Sequence, residues 1–170
     1  MDSAQGKFLM EQLTGLWESE YKATCEVLAA VPDAKRDHKP DEKSRTAWEL
    51  AVHLATSDIW FLESVLAGAF PWDGESEKAR LAMFSTIAEV VDYYKKEFPA
   101  KLAAVRAMSG EQLITPVDFF GMMKLPVVTY IGFGNNHSVH HRGQLASSLR
   151  AMGSKVPAIY GVSADVPMGG

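Results

Sequence analysis

The chain has a single cysteine among its 170 residues, so no intrachain disulfide can brace it. Cys25 sits among Ala23, Val27 and Leu28, where a small buried side chain fits, and no neighbouring histidine or helix start would make it a reactive thiolate. Long blocks of one charge are also missing. With a formal net charge of −4 and no basic stripe, neither a nucleic-acid backbone nor an anionic membrane surface is an expected partner. Every apolar run is interrupted by Glu, Asp, Lys or Arg before it reaches the roughly 20 residues that cross a bilayer as a helix. The opening Met1-Asp2-Ser3-Ala4-Gln5-Gly6-Lys7 lacks the basic-then-apolar order of a secretory signal, which makes a cytoplasmic protein the expectation. Convincing β alternation is scarce, and no internal repeat or low-complexity segment is present.

What remains is a chain with 47% hydrophobic and 22% charged residues, ordinary for one globular domain over residues 1–170. Four helical patterns predict an all-α, four-helix bundle. The first runs from about Gly6 to Val31 and ends at Pro32-Asp33; a polar loop, Asp33 to Lys43, follows. Ser44 is the expected N-cap of the second, from about Arg45 to Leu66, which stops at Gly68. The third begins near Glu75 and continues toward Met108, with Pro99 expected to kink or break it by removing the hydrogen bond to the carbonyl of Lys95. Leu113 to Lys124, with Pro116, Gly121 and an exposed-looking Phe119-Phe120 pair, reads as a long crossover, which suggests a bundle variant with two helices in parallel. The fourth pattern starts near Pro126 and runs to Met152, before Gly153. The tail, about 153–170, is expected to pack as irregular structure.

Three of the five histidines crowd into His137-Ser138-Val139-His140-His141. At about 100° per residue, with His137 at zero, His141 falls near 40°, Gln144 near 340°, His140 near 300° and Arg142 near 140°. His137 and His141 therefore share a face close to the apolar side, whereas His140 points away. Two imidazoles one turn apart can chelate one cation. His53, between Leu50 and Leu54 on the inward stripe of the second pattern, is the remaining histidine inside a helix and could supply a third ligand. The alternative for His53 is a core histidine satisfied by a hydrogen bond. His140 is assigned to solvent or to a supporting role, His38 to an exposed loop, and Arg142 to a structural ion pair.

His137-Ser138-Val139-His140-His141-Arg142-Gly143-Gln144-Leu145, with Arg150-Ala151-Met152-Gly153 and Val156-Pro157-Ala158-Ile159-Tyr160-Gly161, resembles the signature of the DinB/YfiT-like family of bacterial four-helix bundles. Trp48-Glu49-Leu50-Ala51-Val52-His53-Leu54 resembles the family's second-helix segment. The resemblance implies that His53, His137 and His141 ligate one divalent metal ion, and that the protein is a homodimer. It implies thiol-dependent transferase or isomerase chemistry on a small-molecule substrate, with a low-molecular-weight thiol as partner. Three neutral imidazoles leave a coordination position open, as in catalytic zinc sites, and imidazole suits zinc or nickel, among others. Hydrolysis by an acidified water is the other enzymatic route. A non-enzymatic metal-binding stress-response protein is the alternative of a different class. A water-bearing position with a cleft leading to it favours the enzyme; a closed fourth protein ligand favours the structural role. Gln144, on the ligand face, could bond a metal-bound water or simply pack between helices.

Overall fold

The computed structural model describes residues 1–71 and 76–167. Its long helices are α1 (Ser3–Ala29), α2 (Ala47–Ala67), α4 (Ile87–Arg106) and α6 (Thr129–Ser148), with the short α3 (Ser76–Leu81) and α5 (Gly110–Ile114) between them. The all-α bundle expected from periodicity is present, with one two-stranded hairpin added. α1 and α2 each pack against both α4 and α6, so α1 and α2 stand on opposite corners. Cross-helix contacts fix the directions. Glu18 meets Arg106 while Tyr21 meets Lys95, so α1 and α4 are antiparallel. Asp58 meets Tyr94 while Glu63 meets Lys101, so α2 and α4 run parallel. Leu13 lies at Gly132 while Glu20 lies at Arg142, so α1 and α6 also run parallel. A parallel neighbour needs a connection that returns the length of the bundle, and the segment between α2 and α4 does so by laying α3 against α2.

Several local expectations are corrected. The second helix is capped by Thr46, not Ser44: Thr46 Oγ1 accepts from the Glu49 N–H, and the Glu49 carboxylate accepts from the Thr46 N–H, closing a capping box. Ser44 instead donates to Asp41 at 2.6 Å. The third pattern is two helices, because Thr86 starts α4 afresh by accepting from the Glu89 N–H; the predicted start at Glu75 lies outside the described residues. Pro99 does not end α4, which continues through it to Arg106. The carbonyl it deprives, Lys95, accepts a hydrogen bond from the Tyr21 hydroxyl of α1 at 3.4 Å, so a neighbouring helix supplies the missing donor.

The segment before the last helix joins α4 to the antiparallel α6, so the crossover expected there lies between α2 and α4 instead; this segment is also more regular than its composition suggests. It holds α5 and an antiparallel hairpin, β1 (Pro116–Phe119) with β2 (Met123–Pro126). Phe119, the last residue of β1, is buried while Phe120, in the turn beyond it, is exposed, so the pair splits. Phe120 and Gly121 both take positive φ at the turn, and the Tyr130 hydroxyl donates to the Val117 carbonyl to pin the hairpin onto α6.

Cys25 is buried in the core, as its neighbours imply. Helix α2 is long and apolar enough to span a bilayer by length and composition, although Glu49, Asp58 and Glu63 interrupt it. Most of it is buried inside the bundle, as expected of a core helix. α6 contributes an inward face with Gly134, Ser138 and Arg142 among its buried residues. Gly134 is required there: a Cβ would sit 2.5 Å from the Trp17 ring, so only a bare backbone lets α1 approach.

Candidate metal centre

His53 comes from the middle of α2, and His137 and His141 come from successive turns of α6, which runs antiparallel to α2 and faces it. One ring nitrogen from each of the three lies within 4.8 Å of the others, close enough to hold one metal ion. Ring centroids are separated by 5.1 Å for His53 and His137, 4.6 Å for His53 and His141, and 4.4 Å for His137 and His141. His140 is exposed, with its ring 4.9 Å from that of His141, and it does not enter the cluster. His38 is half-buried rather than exposed, because the loop that carries it folds back over α6.

The protonation pattern suits a cation. His141 Nδ1 lies 2.8 Å from Gln144 Oε1; a carbonyl oxygen only accepts, so the proton sits on Nδ1 and the Nε2 lone pair is left for the centre. That Nε2 is 3.2 Å from His53 Nε2, and two ring nitrogens so close need a proton or a cation between them. His53 Nδ1 is 3.3 Å from Ser57 Oγ on the next turn. His137 Nδ1 is buried and has no hydrogen-bond partner among the described residues. Such an orphaned nitrogen is costly unless something occupies its lone pair or takes its proton. Gln144 thus acts on the ligand's far side, orienting His141, rather than in the packing between helices.

Burial pushes His53 down to about 3, with the Arg45 charge and the neighbouring imidazoles adding to it. Burial likewise lowers His137 to about 4, again with neighbouring imidazoles and Arg45 contributing. His141 is lowered by burial, partly offset by its bond to Gln144. All three are therefore neutral at physiological pH, the form that ligates metals. Phe61 packs on His137 with centroids 5.3 Å apart and closes that side of the cluster. On the other side, His141 opens onto a cleft of about 310 Å³.

Beneath the cluster lies a buried carboxylate that pattern reading passed over. Asp58 is fully buried, and its Oδ2 accepts from the Tyr94 hydroxyl at 2.9 Å and the Ser138 hydroxyl at 2.7 Å. The Trp17 indole of α1 also pulls on it without closing a hydrogen bond, so this α2 carboxyl is addressed from the three other long helices. Burial pushes it up to about 7 against the opposing pull of those donors. The available signal was an aspartate inside the apolar stretch of α2, where an unpartnered charge would be prohibitive.

These values set the pH dependence of the metal-free protein. In the unfolded chain the imidazoles take up protons near 6.5, but in the fold His53 and His137 do so only near 3 and 4. Between those limits the unfolded chain binds more protons, so the stability present above about 6.5 is lost as the pH falls through this window. Asp58 acts in the opposite sense. Its folded value exceeds the ordinary 3.8, so its contribution is present below that value and lost as the pH rises toward 7. Three lowered imidazoles outweigh one raised carboxyl, so urea midpoints of chelator-treated protein should be higher at pH 7 than at pH 5. Asp58→Asn should widen that difference, and a wild-type midpoint that is flat or falls from pH 5 to 7 would contradict the assignment.

The fold and cluster define a class, helical bundles with an inward three-histidine group on two facing helices. The chain belongs to the DinB family, whose sequence model matches residues 3–167. No curated protein matches it. Among solved structures it is similar to a DinB-like protein from Bacillus subtilis, with 23% identity over 89% of this chain and 99% of the other, at a TM-score of 0.69. It is also similar to a DinB-like protein from Bacillus cereus, with 24% identity over 88% and 97%, at a TM-score of 0.73. At such identities the likeness shows the shared fold.

Proposed function

We propose that this protein is a metal-dependent enzyme in which His53, His137 and His141 hold one divalent ion, zinc or nickel, with the open side of the ion facing the cleft. The observation that carries this reading is the three-imidazole cluster, with a cleft lined by His141 beside it and no fourth His, Cys, Asp or Glu in the group among the described residues. When bound, the ion would supply Lewis acidity toward a small thiol or a water, which fits a thiol-dependent transferase or a hydrolase. The chain's own residues prepare for that. Gln144 keeps the His141 lone pair directed inward, Phe61 excludes water from the side of His137, and the Asp58 hydrogen bonds hold α2 and α6 in register beneath the ligands. A purely structural or storage role would be better served by a closed fourth ligand, and the cleft weighs against it. A homodimer is part of the same reading; the exposed apolar Phe8 and Leu16 on α1 support it.

Protein purified without a polyhistidine tag should retain or take up about one divalent ion per chain. Elemental analysis before and after reconstitution with zinc or nickel tests this, and a content near zero after both would remove the reading.

A further inference from the structure

We infer that Asp58 is the counter-charge of the histidine centre: it is neutral while the centre is empty and releases its proton to solvent when the centre takes a dication. This rests on the metal-site reading above. The centre itself brings no anion, since three neutral imidazoles make up the group among the described residues. A dication held there sets two positive charges against the bundle core, where charge is poorly screened. A carboxylate nearby would offset one of them, and Asp58 is the only acidic side chain among the buried described residues.

Its position ties it to the ligands on both helices without making it one of them. Asp58 directly follows Ser57, whose Oγ lies 3.3 Å from His53 Nδ1. It accepts at 2.7 Å from Ser138, which directly follows His137. Along α2 it stands five residues beyond His53, about 7.5 Å of helix rise. Over such a span through protein, a dication acts on a carboxyl with little help from salt to weaken it.

The surroundings fix both charge states. Among the described residues the hydrogen-bond donors to Asp58 are two hydroxyls, Tyr94 of α4 and Ser138 of α6, and both address Oδ2. Oδ1 is buried without a partner, and so is the Trp17 indole nitrogen of α1. Burial keeps Tyr94, and Cys25 near it, neutral. Arg142 acts on Asp58 from α6, but its charge is already engaged by the Glu20 carboxylate. A fully buried carboxylate with one oxygen unpartnered is costly, and protonation removes that cost. A dication in the centre reverses the preference. The ionised Oδ1 is then a full acceptor, and the Trp17 Nε1–H, which pulls on the same carboxyl, is the donor left to meet it. The exchange balances: the Asp58 O–H bond breaks, the proton passes to solvent, and the protein gains one net positive charge per dication rather than two.

The test uses the full chain, freed of metal and titrated with zinc at pH 6. His53 and His137, lowered to about 3 and 4, have no proton to lose at that pH, whereas Asp58, raised to about 7, has one. Zinc uptake should release about one proton per ion, measured from calorimetric heats in buffers of different ionisation enthalpy. Infrared difference spectra should show a carboxylic-acid carbonyl band before zinc and its loss afterwards. In Asp58→Asn the band should be missing and the proton release should fall to near zero. Any proton lost from a zinc-bound water is common to both proteins, so the difference between them isolates Asp58. If the variant does not fold, the wild-type infrared difference decides alone. A band absent before zinc or unchanged after it, or equal proton release in the two proteins, overturns the inference and leaves the metal site standing. Failure of the wild type to take up zinc overturns the metal-site reading, and this inference with it.

Discussion

Replacing His53, His137 or His141 with alanine is expected to cost more metal affinity than the roughly 10-fold to 100-fold that follows loss of an outer partner, because each change removes one of only three ligands. His140→Ala should leave affinity nearly unchanged, since its side chain is exposed and its ring lies beside His141 rather than in the cluster. Gln144→Ala should fall between the two, within that 10-fold to 100-fold range, by freeing the His141 ring that its 2.8 Å bond orients. Calorimetric titration of zinc or nickel into the five variants and the wild type is the measurement. Loss of binding in His140→Ala, with retention in His137→Ala or His141→Ala, would require the inward face of α6 to be redrawn.

The largest effect on stability is expected at Arg142, which the sequence assigns to a structural ion pair and the structure pairs with Glu20. Arg142 is 1% exposed in the core. It donates to the Glu20 carboxylate at 2.5 Å, to the Glu20 carbonyl at 3.1 Å, to Thr24 at 3.3 Å and to the Tyr160 hydroxyl at 2.6 Å. The Tyr160 hydroxyl in turn donates to Glu20 at 2.8 Å, so the guanidinium ties α1, α6 and the C-terminal tail together. Arg142→Ala strands the Glu20 charge and opens a void, and should cost about 3–5 kcal/mol. For a chain of this size that lowers Tm by on the order of 10 °C. Arg142→Met with Glu20→Leu removes both charges and should recover much of the loss, since a buried pair is often replaceable by apolar side chains. Thermal melts of the single and double variants decide it; a loss under about 1 kcal/mol for Arg142→Ala would mean that the network carries little energy.

Local signals account for what could be read in advance. Four apolar periodicities called for an all-α bundle, and the four-residue spacing of His137 and His141 put both on one face while turning His140 away, because helix geometry is set by the backbone alone. Gly68 marked the end of α2, and Gly153, also with positive φ, closes the 3-10 turn Arg150–Met152 that follows α6 rather than α6 itself, since a left-handed residue is a local demand. The Thr46-Ala47-Trp48-Glu49 box and the Thr86–Glu89 pair are legible too, and they place helix starts at Ala47 and Ile87 rather than after Ser44 and near Glu75.

Other features depended on partners distant in sequence. Pro99 is tolerated because Tyr21, 78 positions earlier, satisfies the carbonyl it leaves open. Asp58 is tolerated because Tyr94 and Ser138 converge on it. Arg142 is buried because Glu20, Thr24 and Tyr160 surround it. The meeting of His53 with the α6 pair could be suspected from two inward patterns. That they share one centre, and that its His141 lines a cleft, was decided by the antiparallel packing of α2 on α6 and by the loop folded back over α6. Periodicity tells which way a side chain points from its own axis, but the register between two axes is set by packing, and so only the tertiary structure determines which inward groups meet.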